Sequence, residues 1–558
     1  MRALPIFLLL LSVLPAPAAE PALVRVLREE LDRSFRILKE KADPPPYFLS
    51  YSVHDQHSYS ISATLGTLIN ASEGRSRLAD VSIRVGDYKL DNYHRLRGQF
   101  MSQGSGALTL SLDDDPDSLK ASLWSHTDRK YRQAAERLIR IKTNRTVKVE
   151  EEDTSDDFSR EDATAGSAPK ADLKLDLPAW SERLKKLSAI FRRYPHVLTS
   201  KVVLHVENRN ESLVNTEGTG VQHGRNYLRL MVMADTRAED GMNLDRFESF
   251  EAADPSGFPS DRGLEARIEE MARDLDQMRR APLAEPYVGP AILSGRATGV
   301  FFHEILGHRI EGHRQKDEAE GQTFAKKLGE PILPPFLSVV FDPTLRRHGD
   351  LELNGWYAYD DEGVKARRIT AVENGALKTF LMTRSPVAGV AKSNGHARRQ
   401  AGLEVVARQS SLLVESSRQV PEAELRRMLA AEAKRQNKPY GLYFKDIRGG
   451  FTTTGRGGPQ AFKVLPVVVY KVYADGRPDE MIRGADMVGT PLAAFAKILA
   501  TSNKAEVFNG MCGAESGSVP VSAVAPAILV SEIEIEKQRK AQDRPPLLPA
   551  PTASAAGI

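Results

Sequence analysis

Any fold open to this chain must accommodate His303-Glu304-Ile305-Leu306-Gly307-His308, in which two imidazoles flank a carboxylate. Neutral imidazoles are good ligands for a borderline-soft divalent cation such as zinc. A carboxylate beside such a site can take a proton from water that the metal has acidified. The familiar zinc-protease pattern places its histidines four apart on one helix face; here they stand five apart. Five residues carry a regular helix through about 500°, which leaves the second imidazole about 140° round from the first. A regular helix therefore keeps the pair from gripping one ion. A wider turn with i→i+5 bonding would bring them together, and such turns occur mostly at functional sites. Gly307 lowers the steric cost of that distortion. Spacing alone leaves metal binding open.

The surroundings add to the motif. Gly299-Val300-Phe301-Phe302 is apolar and reads as the start of a buried helix over 296–312. Cys512, the only cysteine, sits in Asn509-Gly510-Met511-Cys512-Gly513 between glycines that expose backbone and permit a tight turn. Three protein ligands with an open fourth position for water are the catalytic zinc pattern, and mixed histidine and cysteine sets occur in it. The competing reading of Cys512 is a small buried hydrophobe.

The motif and its continuation, Arg309-Ile310-Glu311-Gly312, resemble the signature of the TldD/PmbA family of metalloproteases, His-Glu-x-x-Gly-His followed by Leu/Ile-Glu-Gly. Further matches follow in order: Tyr359-Asp360-Asp361-Glu362-Gly363, Glu373-Asn374-Gly375-Ala376-Leu377-Lys378, and Met511-Cys512-Gly513 through Ser518-Val519-Pro520-Val521. The resemblance covers residues 290–535; upstream, Val81-Ser82-Ile83-Arg84-Val85-Gly86-Asp87 fits the family's N-terminal domain. It implies that His303, His308 and Cys512 bind one Zn²⁺ and that Glu304 is catalytic. It also implies short or unfolded peptides as substrates, and a homodimer or a heterodimer with a sister subunit. His313 stands where the family often has an acidic residue, and reads as an alternative ligand, a second-shell group or a surface histidine. The rival reading is a non-catalytic exported metal-binding or scaffold protein of the same fold.

A chain of 558 residues is too long for one core, so two domains are expected. Hydrophobic content of 41% and charged content of 27% are ordinary for a soluble globular protein. A net charge of +3 argues against a dedicated nucleic-acid binder. Residues 1–19 read as a signal peptide: Arg2 is the positive start, Leu4 to Leu14 are mostly apolar, and Ala16-Pro17-Ala18-Ala19 offers a cleavage site. Export to a periplasmic or extracellular compartment without stable membrane insertion is expected. There metal ligation would protect a free thiol.

The expected fold class is α+β. An N-terminal α/β domain with a mostly antiparallel sheet spans 20–290, and a β-rich, barrel-like metallopeptidase domain spans 291–540. Val24, Leu27, Leu31, Phe35 and Leu38 predict a first helix, Trp180, Leu184, Leu187 and Phe191 a second, and Leu264 to Met278 a third. Strands are expected at 47–53, 57–64, 80–85, 200–206 and 226–233, then at 336–341, 366–372, 377–382, 462–473 and 527–535. Residues 150–162 hold eight acids in thirteen, so the insert 149–178 is expected to be disordered, as is the tail 541–558. A calcium site among those acids lacks the spaced glycine of an EF-hand.

The glycine-rich run from Arg448 has no Gly-Lys-Ser/Thr, which argues against nucleotide binding. The resemblance puts it at the active site, where exposed backbone at Gly449 and Gly450 could pair with an extended peptide. Asn394 to Arg399 is a polar loop; Asn394 and Arg399 are further candidates, the arginine for a peptide carboxylate.

Overall fold

A computed structural model of the chain describes residues 20–96, 104–145, 153–457 and 461–538. The expected signal peptide and C-terminal tail lie outside these residues. Among those described, no helix is long and apolar enough to cross a membrane.

The amino-terminal part is built on one long hairpin. From Leu49 to Thr64 the sequence alternates apolar with polar residues, so strand Pro46–Thr64 has one greasy face and one wet one. It pairs antiparallel with Thr67–Val85 on one side and Thr199–Asn215 on the other. Gly220–Arg237 and Asn243–Ala252 extend the sheet. The greasy face is covered twice. Leu49, Tyr51 and Val53 pack under the helices Ala22–Lys41 and Pro116–Arg145, while Tyr59, Ile61 and Ala63 pack under Leu177–Ala189 and Asp261–Arg280. The strands predicted at 47–53 and 57–64 are thus a single strand. The polar pair Asp55-Gln56 between them interrupts the apolar pattern but not the hydrogen-bonded ladder.

The insert corrects the sequence reading: from residue 153 onward it is ordered. Phe158 is buried and lies beneath the guanidinium groups of Arg84 and Arg384, at 3.6 and 3.9 Å from the ring centre. Asp157 receives His94 Nδ1 at 2.7 Å, and Ala165–Ser167 adds a short parallel strand to Gly220–Arg237. Acid content predicts disorder when charges go unpaired; here the partners are basic groups distant in sequence.

The carboxy-terminal part is a twelve-stranded mixed sheet. Five of its strands close on themselves. Gly517–Lys537 pairs with Ala485–Gly489, which pairs with Phe462–Tyr473, then Tyr440–Thr452, then Tyr287–Leu293, and this last strand returns to Gly517–Lys537. Closure removes exposed edges and gives the barrel-like character expected. Tyr287–Leu293 therefore joins the second sheet although it begins before residue 290. Helix Gly295–Ile305 packs on this sheet, with Phe301 edge-on to Phe462 and Phe495 and Phe302 tilted against Phe495 in its core. The helix lies close because Gly295 and Gly299 face it; a Cβ on them would sit 2.4 Å from Ala525 O and 2.8 Å from Ala523 Cβ. The fold is α+β.

Candidate metal centre

The motif helix ends sooner than the sequence suggests, and not through a wider turn. Leu306 N–H still bonds Phe302 O, four residues back. The N–H groups of Arg309 and Ile310 then both return to Leu306 O, so residues Gly307–Ile310 form a 3₁₀ turn. This tighter turn re-aims His308, whose ring centre stands 4.9 Å from that of His303 at 83°. Gly307 serves close approach rather than backbone strain. A Cβ there would lie 1.9 Å from the carboxamide oxygen of buried Gln409, whose Nε2 donates to His303 O at 3.2 Å.

Cys512 arrives from a long hairpin rather than a glycine turn. Strand Ile498–Ala514 pairs with Gly517–Lys537, with Cys512 opposite Val519. The reversal falls just beyond, where Gly517 takes φ +82°. Cys512 Sγ is 3.2 Å from His303 Nε2 and 3.4 Å from His308 Nε2. The three donor atoms lie within 4.8 Å of one another. Tetrahedral zinc, with bonds of about 2.3 Å to sulfur and about 2.05 Å to nitrogen, holds such donors roughly 3.3–3.6 Å apart. The set fits that ion in chemistry and in span.

The electrostatics agree. Burial opposes charge on Cys512, yet the two imidazoles hold its thiol well below the ordinary value, and the thiolate is the form that ligates. His308 is buried too, but the thiolate and Glu311 raise it. Glu311 is fully buried, with its carboxylate 3.3 Å from His308 Nδ1 and 2.8 Å from Arg314 Nε. Against its burial, His308 and Arg314 bring it down to about 2. A carboxylate on the far nitrogen fixes a ligand's tautomer and orientation. Arg408, also fully buried, donates to Cys512 O at 2.6 Å and stands 3.7 Å from Glu311. It joins the support of the thiolate to that of the imidazole.

Glu304 does not reach into this donor set. It lies on a cavity of about 500 Å³ that the three donors also line. Burial raises its carboxyl above the usual value. Gly450 makes room for it, since a Cβ there would come within 2.7 Å of Glu304 Cγ. Arg309 fastens the glycine-rich strand to the helix end, donating to Glu304 O at 3.0 Å and Thr453 O at 3.1 Å. Gly449 and Gly450 thus form a wall of the cavity, with exposed Phe451 beside them. Strands of the amino-terminal sheet supply Arg229 and Phe247.

The other candidates lie elsewhere. His313 binds Glu515 through Nε2 and stands outside the donor set. Asn394 is spent on the backbone, donating to Phe380 O and accepting from Met382 N–H. Arg399 lines a second, smaller cavity and pairs with Asp80 at 3.3 Å. Sequence reasoning passed over Glu311, Arg408 and Gln409. Only Glu311 carried a signal, as the residue three after His308 in the quoted motif.

Residues 287–537 match the PmbA/TldA metallopeptidase C-terminal domain. A metalloprotease of Methanocaldococcus jannaschii is 29% identical over 41% of this chain and 47% of its own length. A protein of Saccharolobus solfataricus, named a zinc metalloprotease and TldD homolog, is 31% identical over 20% of this chain and 23% of its own length. The chain thus spans less than half of each of these relatives. In fold it is similar to TldE from Thermococcus kodakarensis, with a TM-score of 0.62 over 92% of this chain and 100% of that one, at 16% identity. His303, His308 and Cys512 all lie inside the matched stretch, so residues 287–537 form a C-terminal domain of the PmbA/TldD family.

Proposed function

We propose that this chain is a zinc-dependent peptidase acting on short or unfolded peptides. The observation that carries this reading is the convergence of His303, His308 and Cys512 on a cavity that Glu304 shares. Zinc, when bound there, supplies a Lewis acid that polarises a carbonyl and acidifies water. Glu304 takes the proton from the attacking water at a carboxylate oxygen and passes it to the leaving amine. Its burial makes it a stronger base than an exposed carboxylate. His303 and His308 would hold the ion through Nε2, with Glu311 orienting the second. Strand Tyr440–Thr452 offers backbone to an extended peptide. Gly449 and Gly450 pair with Leu465 and Val464 on one edge, and among the described residues no strand covers the other edge from 447 to 452.

The test measures zinc content and cleavage of an unstructured peptide pool by the wild type, Glu304→Gln and Cys512→Ser. The reading requires Glu304→Gln to hold zinc without turnover and Cys512→Ser to lose most of its metal. Equal turnover in the wild type and Glu304→Gln favours a non-catalytic metal-binding protein. We also propose export and a dimeric state. A mature terminus near Ala19 or Glu20 and a two-chain mass in solution are the corresponding measurements.

A further inference from the structure

A second cavity lies behind the hairpin that carries Cys512. Val521 and Ser522 face the metal cleft, whereas Val519 and Pro520 line this other space of about 110 Å³. One water needs roughly 10–15 Å³ by the same kind of measure, so there is room for a small polyatomic ion. Drug-sized ligands need about 300–1,000 Å³, which excludes a whole nucleotide. The walls come from both parts of the molecule: Arg209 and Arg225 from the amino-terminal sheet, Arg346, Trp356 and Arg398 from the carboxy-terminal part.

Its charges do not cancel. Arg209 pairs with Glu207 and Arg399 with Asp80. Among the described residues Arg225, Arg346 and Arg398 pair with no carboxylate. Arg225 lies 5.0 Å from the Trp356 ring centre and donates to Trp356 O at 2.7 Å, while its Nε is buried without an acceptor. Arg346 approaches the same ring at 4.3 Å. Arg398 is buried over Tyr357 at 4.8 Å and donates to Gln409 O at 2.6 Å. The acids of the cavity are engaged elsewhere. Glu211 faces His54 and His223, Asp360 accepts three backbone N–H groups, and Asp361 accepts the N–H of Arg399. Burial and the nearby cations Arg209 and Arg398 pull Arg225 down to about 9. Arg398 is buried and Arg225 partly so, and sheltered guanidinium groups without counter-charge are costly; Arg346 is exposed at the mouth, and guanidinium groups are suited to bidentate recognition of oxyanions.

We propose that Arg225, Arg346 and Arg398 form a binding site for a phosphate group, separate from the metal cleft. A phosphate carries about −1.5 to −2 charges and three acceptor oxygens, which suits three cations better than a single carboxylate does. The site does not depend on the peptidase reading.

Calorimetric titration of the full-length, zinc-loaded protein with inorganic phosphate at fixed ionic strength tests it. One saturable site per chain is expected. Arg346→Gln, a change at an exposed position, is expected to weaken binding by about tenfold or more, and Arg398→Gln to abolish it. Arg426→Gln, which removes an exposed arginine paired with Asp479, is expected to leave affinity unchanged, as is removal of zinc by a chelator. Melting in phosphate against equal ionic strength of chloride gives a second reading: the wild type gains stability and Arg346→Gln gains less. Methyl phosphate separates the sources. Binding as tight as that of phosphate points to a phosphorylated larger ligand, weaker binding to the free ion, and both keep the assignment. Absence of saturable heat, equal affinity in Arg346→Gln, loss of binding on chelation, or acetate binding as tightly as phosphate would each overturn it.

Discussion

The helix-covered face of the amino-terminal sheet and the floor of the metal cleft are both buried, but by opposite means. Under helices Leu177–Ala189 and Asp261–Arg280 the layer is apolar, with Leu204, Leu230, Leu264 and Leu275 fully enclosed. Around the donor set, Glu311, Arg408 and Gln409 are equally enclosed and fully polar. Apolar burial stabilises in proportion to area and without direction. Buried charge costs desolvation that pairing only partly offsets, so it adds little net stability but fixes orientation. The first region keeps the molecule folded; the second aims three donor atoms.

Four outcomes sharpen or break that contrast. The largest effect is expected for Glu304→Gln: turnover falls by roughly 10²–10⁴ with melting temperature and zinc content unchanged. A loss of fold instead would make the cleft a stabilising core and end the contrast. Leu204→Ala is the converse, lowering the unfolding free energy by about 2–5 kcal/mol at full zinc stoichiometry, as read by denaturant titration and metal analysis. Glu311→Gln keeps the side chain's shape but weakens its hold on His308, so zinc affinity falls about 10–100-fold in a competitive chelator assay. Unchanged affinity would reduce Glu311 to a packing group.

The remaining outcome concerns pH. His396 is fully buried between Asn394 and Ser410. Burial, with Arg398 and Arg367 adding repulsion, depresses its pKa to about 3. Below about pH 6.5 the unfolded chain protonates this group and the folded one does not. Stability therefore falls as pH drops from about 6.5 toward 3, by up to about 1.4 kcal/mol per unit. His396→Asn is expected to flatten that part of the stability curve. An unchanged slope would assign the acid sensitivity to other groups.

The same contrast explains what the sequence could disclose. Alternation from Leu49 to Thr64 and the helical spacing of Leu264 to Met278 are local patterns set by one apolar face, and they were legible. Helix Pro116–Arg145 was not, because its inner face rests on few residues, Leu119, Leu123, Ala134 and Leu138, scattered among charges. His303, Glu304, His308 and Cys512 were legible as types with distinctive chemistry. Glu311, Arg408 and Gln409 belong to types that mostly sit on surfaces; Arg408 and Gln409 act through contacts across about a hundred residues, to Cys512 and His303, whereas Glu311 meets His308 only three residues away. The insert from 153 was misread for the same reason. The basic residues that order it, His94 and Arg384, lie in other segments.

Arg229 and Phe247 reach the metal cleft from strands that precede residue 287, whereas the match to the family's C-terminal domain begins there. The matched domain and the enclosure of the cleft thus involve different lengths of chain. Relatives can inherit one donor set and still present it behind different walls. Selection on what enters the cleft can act on the amino-terminal sheet while leaving the ligands untouched.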